Sequence, residues 1–436
     1  MTDLAAPGSA FHADANRALA RRGKDLLVAK DLPDLVAALE PLEAYFIVKE
    51  LGVGDALPIL KHATDEQLQT LIDLDCWRDD RPDLLELDAW LSSFAAESYT
   101  AAAAAFVRLD PELQVWLLAE TLDIYEAHDE SAPETPDDVP RMTTPDAFFV
   151  LLPRPEVVLD LEPFALVTAL YAADAEEAYR LLTAARWELM STLEEIAYGF
   201  RGGRLEDLGF PPKDEALRLF APPPKVALPR RAPATPTRVP AVYMQPLLEG
   251  SLLTRALAAL SDPTLLTSIE SDVVYLINAA ILAYGESPRD VTHVTLIAAR
   301  VRDTVSLGLE LAIGAELGIA NPADPGAVTA ASSLLATCPL RQLFQTGHAA
   351  VTALQHEARA LASDPVVAQW LQAPTADTDD YSQDRRDREL LTALTRERPL
   401  YGGFDPVQPS RRKAFASRAE LAAAEARLDA IANRVA

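Results

Sequence analysis

Apolar positions recur at spacings of three and four along most of the chain, the period of a helix that buries one face. In the first third, three segments each read apolar run, acidic turn, apolar run. They are Leu35-Val36-Leu39, Glu40-Pro41 and Tyr45-Phe46; Leu57-Ile59-Leu60, Thr64-Asp65 and Leu68-Leu71-Ile72; Phe106-Val107-Leu109, Asp110-Pro111 and Leu113-Trp116-Leu117. A fourth follows at Leu166-Val167-Leu170, Asp174 and Ala178-Leu181-Leu182. The second and fourth align without gaps and set Trp77 against Trp187. One such hairpin cannot bury its own face, whereas stacked hairpins can. The pattern therefore predicts an all-α chain that begins with stacked helical-hairpin repeats in a superhelical array. Chance similarity inside an irregular helical bundle is the alternative. From residue 247 a helical bundle domain is expected. Leu248, Leu252, Leu253, Ala256, Leu257 and Leu260 form one face, and residues 273–283, 291–299 and 305–319 are apolar on most sides, as central helices are. Helices over 328–336, 347–361 and 390–394 follow, then a last one from Ser417 carrying Leu421, Leu428 and Ile431. Strand signals allow at most one short β-hairpin, residues 148–152 against 156–159 around Pro153 and Pro155.

Punctuation supports the helices. Asp110-Pro111, Asp262-Pro263, Ser287-Pro288 and Asp364-Pro365 each place a side-chain acceptor at N-cap and a proline, with no N–H to lose, at N1. Thr64 to Gln67, Ser287 to Asp290 and Ser417 to Glu420 have capping-box spacing. Residues 127–146 are rich in Asp, Glu, Ser, Thr and Pro and suggest a linker. Residues 221–246 carry eight prolines with Lys225, Arg230, Arg231 and Arg238 and no acid. That composition suggests an extended spacer, or alternatively a segment that binds a partner or lies across the acidic surface. The expected organisation is an N-terminal arm (1–30), a helical repeat domain (31–130), an acidic linker (131–147), a further repeat and helical region (148–220), a Pro-rich linker (221–246) and a C-terminal helical domain (247–436).

Charge narrows the function. The 436 residues carry 39 Lys+Arg against 66 Asp+Glu, a net charge of −27. That argues against nucleic-acid binding and against docking on an anionic membrane, since both need cationic surfaces. Residues 305–320, the longest apolar run, contain Glu310 and Glu316 and are too short and too charged for membrane insertion. The N-terminus lacks the pattern of a secretory signal, and two distant cysteines, Cys76 and Cys338, suit a reducing cytoplasm.

Motifs that carry chemistry are few. Gly52-Val53-Gly54 is followed by Leu57 where a dinucleotide motif needs glycine, and no P-loop string occurs. None of the six histidines (His12, His62, His128, His293, His348, His356) pair at i, i+4, and no calcium loop is present. Ser410-Arg411-Arg412-Lys413 matches a serine–lysine string without its companion motifs. Cys76 beside Trp77 suits a core position. The acidic run Glu120, Asp123, Glu126, Asp129 and Glu130 suits a solvated face, with weak divalent-cation binding as the alternative. Asn278 and Glu310 lie in very apolar helices, with Arg300 and Arg302 near in sequence; a polar network or a ligand pocket would account for them. The densest charged stretch is 194–210. Glu194, Tyr198, Arg201, Arg204 and Asp207 there suggest either a helix end stapled by ion pairs, broken at Gly202-Gly203 with Leu208 and Phe210 folding back, or a small anion or partner site on the two arginines.

Three stretches carry a family resemblance. Residues 194–210 ending Arg204-Leu205-Glu206-Asp207-Leu208-Gly209-Phe210, then Leu343-Phe344-Gln345-Thr346-Gly347-His348, then Arg398-Pro399-Leu400-Tyr401 with Arg412-Lys413-Ala414-Phe415-Ala416-Ser417, resemble an uncharacterised bacterial all-helical family over nearly the whole chain from Leu32. That resemblance implies a fold and no activity. Residues 32–125 also resemble the cytosolic N-terminal domain of magnesium transporters, which implies an acidic superhelical interaction module. Together these observations predict a non-catalytic cytoplasmic interaction or scaffold protein. It would need no cofactor or metal and would take a protein partner, basic by charge complementarity. A ligand- or divalent-cation-responsive regulatory module is the alternative.

Overall fold

The computed structural model describes residues 10–20, 23–128, 140–154, 158–224, 238–319, 321–373 and 383–435. Among them the chain is mostly α-helical, with two small antiparallel sheets. It divides into two compact units, Arg22–Asp207 and Met1–Arg21 with Leu208–Ala436.

In the unit Arg22–Asp207 helices form at all four predicted segments, but only the fourth pair packs closely on itself, whereas Pro41–Leu51 packs on Asp65–Asp75 and Tyr99–Phe106 on Pro163–Ala173. Leu32–Ala37 precedes Pro41–Leu51, Leu57–Leu60 precedes Asp65–Asp75, Tyr99–Phe106 precedes Pro111–Thr121, and Pro163–Ala173 precedes Ala175–Trp187. Thr64 and Gln67 close both halves of their capping box. Their apolar faces meet in a core that includes Tyr45, Ile59, Trp90 and Phe106. Inside it the Asp75 carboxylate receives Lys49 Nζ at 2.9 Å, Tyr45 Oη at 3.2 Å and Trp90 Nε1 at 3.1 Å, so the buried charge is paired and hydrogen-bonded. The match of the second and fourth segments does not extend to their tryptophans. Trp77 is buried in a two-stranded hairpin, Trp77–Arg78 with Arg81–Pro82, whereas Trp187 ends its helix 66% exposed.

The strands exceed the single hairpin expected. Phe149–Pro153 pairs backwards with Leu122–Glu126, register Ile124 to Leu151, and takes Met142–Thr143 on its other edge. The forward partner expected at 156–159 does not form a strand at Val158 or Leu159, and Glu156 lies outside the described residues. Alternation explains the choice: Phe149 and Leu151 face the core, and the preceding strand offers buried Leu122 as a neighbour. The acidic linker thus contains a strand, Met142–Thr143, while its residues 131–139 lie outside the described residues.

The second unit is built on three long helices, Pro263–Ala283, Val291–Leu317 and Leu340–Ala362. The segments 291–299 and 305–319 are one helix, with no breaker between them. It packs against Ala241–Leu247, Leu252–Ala258, Pro263–Ala283, Pro325–Thr337, Leu340–Ala362 and Arg418–Val435, which makes it central, as its apolar composition predicts. Pro263–Ala283 is long and apolar enough to cross a membrane by composition alone, yet 78% of its most apolar window is buried within the protein. Ser287 does not cap the next helix; Asp290 does, accepting from His293 N. Helix Ala241–Leu247 occupies the end of the expected Pro-rich spacer, whose residues 225–237, including Lys225, Arg230 and Arg231, lie outside the described residues. The N-terminal arm supplies a helix too, Ala10–Ala20, packed on Ala241–Leu247; residues 1–9 lie outside the described residues. The boundary between units falls at Asp207, ahead of the Pro-rich stretch.

Buried polar groups are networked. Asn278 accepts from Tyr243 Oη at 2.5 Å and donates to Leu208 O at 3.0 Å, not to or from the nearby arginines. Glu310 accepts from Arg418 N at 2.8 Å. Arg302 joins Asp303 and Glu249 at 2.6 Å each.

Glu270 stands apart from these networks. Burial, with Asp14 nearby, pushes its carboxyl up to about 7, against the opposing pull of Arg17 and Arg238. The folded state therefore holds this proton more tightly than the unfolded chain does. Glu270's contribution to stability is full below the ordinary glutamate range and is lost as pH rises through about 7. Glu270→Gln is expected to remove that loss, raising stability at pH 8 by roughly 2–3 kcal/mol relative to wild type while leaving pH 4 nearly unchanged. Urea midpoints of both proteins across that range test this, and parallel curves would refute it.

Candidate functional site

Helix Met190–Asp207 carries the densest charged stretch, and its two faces differ sharply. Leu193 and Ala197 are buried, and Arg201 and Arg204 extend that face at helical spacing. Arg204 grips Asp73 in a bidentate fork, Nε to Oδ2 at 2.6 Å and Nη2 to Oδ1 at 2.9 Å. It also donates to Asp110 at 2.6 and 3.2 Å. Asp73 is fully buried and takes a further bond from Gln69 Nε2 at 3.0 Å. Gln69 Oε1 in turn accepts from Asp110 N. This explains why Asp110, the N-cap of Pro111–Thr121, makes no side-chain capping bond: its carboxylate is held by Arg204. Burial pushes the Asp73 carboxyl up, and the Arg204 and Gln69 bonds oppose it. Against a burial that disfavours its charge, Asp73 and Asp110 hold Arg204 above its ordinary value.

The other predicted residues are placed around this anchor. Arg201 donates to Asp73 O at 2.8 Å and lies over the Trp77 ring at 4.9 Å. Tyr198 sits 6.3 Å from the same ring. Glu194 accepts from Trp116 Nε1 at 3.3 Å. Asp207 is exposed at the helix end. Gly202 and Gly203 do not break the helix, which runs through both, held on either side by Arg201 and Arg204. The ion pairs run to other helices, not along this one. An incoming anion would compete with two carboxylates already bound to Arg204, so the geometry suits anchoring rather than anion capture.

The solvent side is the anomaly. Ile196 and Phe200, one turn apart, are 42% and 55% exposed, and Trp187 and Leu189 are exposed just before the helix. Gly199 and Gly203 lie beside them. A Cβ built on Gly199, Gly202 or Gly203 would meet nothing within 4 Å. Glycine in a helix costs about 1 kcal/mol relative to alanine, and no packing within the protein requires it at these positions. Exposed Glu188, Glu195, Glu206 and Asp207 rim the surface. Attention to charge misses Ile196 and Phe200. The available signal was apolar residues at 193, 196, 197 and 200, too wide an arc for one buried face.

Other candidates resolve into ion pairs. Arg154 lies 3.2 Å from Asp123 and 3.9 Å from Glu120, and Arg186 lies 3.8 Å from Glu126; Asp129 and Glu130 are outside the described residues. Among the described residues no cluster of three or more His, Cys, Asp or Glu is placed to hold a metal. Lys413 of the serine–lysine string is paired with Glu420, and Arg412 with Glu389.

The profile of a Family of unknown function (DUF6178) matches residues 17–436. No curated protein and no solved structure gives a significant match.

Proposed function

We propose that this chain, which belongs to the DUF6178 family along nearly its whole length, is a non-catalytic cytoplasmic interaction protein whose docking face is helix Met190–Asp207. The observation that carries the proposal is that helix's exposed apolar strip, Ile196 and Phe200 flanked by glycines with open space above them. The occupant is a basic amphipathic helix of a protein partner. Its apolar side would cover Ile196 and Phe200, its backbone would approach at Gly199 and Gly203, and its Lys or Arg residues would meet the rim of Glu188, Glu195, Glu206 and Asp207. The net charge of −27 favours the same sign of partner. Arg201 and Arg204 act from the opposite side by fixing the helix in place. The expected resemblance of residues 32–125 to a magnesium-transporter domain finds no match among curated proteins or solved structures.

Crosslinked capture of the tagged full chain from its own cytosol, quantified against variants, tests it. Phe200→Glu and Ile196→Glu are expected to reduce a stoichiometric basic partner at least roughly tenfold, while Leu85→Glu, at a still more exposed leucine in the same unit, leaves it bound. Gly199→Ala should raise stability by up to about 1 kcal/mol yet weaken capture. A partner retained by Phe200→Glu, or bait recovered alone, overturns the proposal.

A further inference from the structure

The second unit contains an aromatic cluster unlike the rest of its core. Phe220 closes the short 3₁₀ turn Arg218–Phe220. Its ring meets Tyr284 edge-on at 5.3 Å and His348 at 4.9 Å. His348 stacks parallel to Phe344 at 6.3 Å, one turn earlier on Leu340–Ala362. Two guanidinium groups lie on these rings: Arg398 is 3.8 Å from the Phe220 centroid and Arg300 is 5.2 Å from that of Tyr284. Both arginines bear electrostatically on the Tyr284 hydroxyl, so the two charges share one neighbourhood.

The charges lack the usual partners. In this acidic chain Arg154, Arg204, Arg302 and Arg412 sit on carboxylates. Among the described residues Arg300 has no carboxylate within ion-pair distance. Arg398 meets its chain neighbour Glu397 at 3.5 Å, a side chain 85% exposed. Among the described residues Arg300 Nε and His348 Nε2 are buried without a hydrogen-bond partner, as is Oε1 of Gln345, whose Nε2 donates to Arg218 O beside Phe220. Buried polar atoms are normally satisfied, and several orphans around one cluster call for a cause. The loop that carries Arg398 is itself fixed. Gln355 and Arg359 donate to Arg396 O, and Leu400 N donates to Ala393 O. Arg398 is therefore held on Phe220 by its surroundings. Burial, then Arg398, lowers the His348 pKa to about 4, so at neutral pH the ring is an uncharged donor or acceptor.

We propose that Arg300 and Arg398, stacked on Tyr284 and Phe220, form a binding site for a small oxyanion, a phosphate- or carboxylate-bearing molecule, with His348 as a neutral hydrogen-bonding partner. A guanidinium group held over a ring face keeps N–H groups at its edge for oxygen, as in bidentate recognition. Gln345 Oε1 offers an acceptor for a hydroxyl or amine elsewhere on the same ligand. The site lies in the second unit and is independent of the docking helix.

Titration calorimetry of the full chain with inorganic phosphate and with phenyl phosphate, in buffer free of other oxyanions, tests this. Saturable binding of one or both is expected. Arg398→Gln and Arg300→Lys should each weaken it at least roughly tenfold, the second because ammonium keeps the charge but loses the fork. Arg289→Gln, an arginine of the same unit outside the cluster, should leave binding unchanged. Arg398→Gln, on a loop, guards against a folding failure at Arg300. No saturable heat from either probe, or binding unaltered in the Arg398 and Arg300 variants, overturns the proposal.

Discussion

Replacing Arg204 with methionine should destabilise the unit Arg22–Asp207 by roughly 3–5 kcal/mol, the range seen when one partner of a buried ion pair is removed. The magnitude follows from what the change leaves behind. Asp73 is fully buried, and Arg204 supplies two of its hydrogen bonds, so the carboxylate would keep only Gln69 as a side-chain donor. Asp110 would lose its pair at the same moment. The helix Met190–Asp207 would lose the contact that ties its last turn to Asp65–Asp75 and Pro111–Thr121. Tryptophan fluorescence suits the measurement, because Trp77, Trp90, Trp116 and Trp187 all lie in this unit and only Trp370 lies outside it. The double change Asp73→Asn with Arg204→Met should recover much of the loss, since it removes the stranded charge. If Arg204→Met alone shifts the thermal midpoint no more than Arg180→Met, whose pair with Glu177 is exposed, the anchoring role is wrong.

That network was half legible in the sequence. Arg201 and Arg204 stood out because a dense charged stretch with glycines invites notice, but their partners are more than ninety positions away at Asp73 and Asp110. Helical periodicity has no reach across that distance, so the natural expectation was pairing along the same helix. Asp110 was recognisable as an N-cap from its proline, yet the sequence could not show that its side chain had left the cap for Arg204. Helix existence read well wherever apolar spacing was regular. Boundaries read less well: a helix expected from residue 347 begins at Leu340, because its first turns pack through Leu343 and Phe344 and need no side-chain cap. Strand pairing departs from expectation for a related reason. Alternation identified Phe149–Pro153, but the choice between an earlier and a later partner is made by the core. The cluster of Phe220, Tyr284, His348, Arg300 and Arg398 was invisible, since five separate segments contribute one residue each.

Gly308→Ala or Gly347→Ala should cost at least roughly 3 kcal/mol in the other unit, at the upper end of what overpacking does. Apolar patterning holds no hint of this, because glycine within a helix normally reads only as a weak point. The two longest helices, Val291–Leu317 and Leu340–Ala362, touch backbone to backbone at these residues. A Cβ on Gly308 would lie 1.9 Å from Leu343 O, and one on Gly347 would lie 2.2 Å from Thr304 O and 3.1 Å from Gly308 N. No rotamer change can relieve a clash with main-chain atoms. The helices would have to separate, and the buried neighbours Val305, Leu307, Leu309, Leu343 and Phe344 would lose contact together. Gly199→Ala makes the opposite prediction for the same chemical change: open space on the docking helix turns the added methyl into a gain of up to about 1 kcal/mol. Denaturation of the three variants by urea, followed by far-ultraviolet circular dichroism, reads both signs. A Gly308→Ala protein within about 1 kcal/mol of wild type would show that these helices do not approach as closely as described. A loss of stability in Gly199→Ala would show that the face over that glycine is already covered.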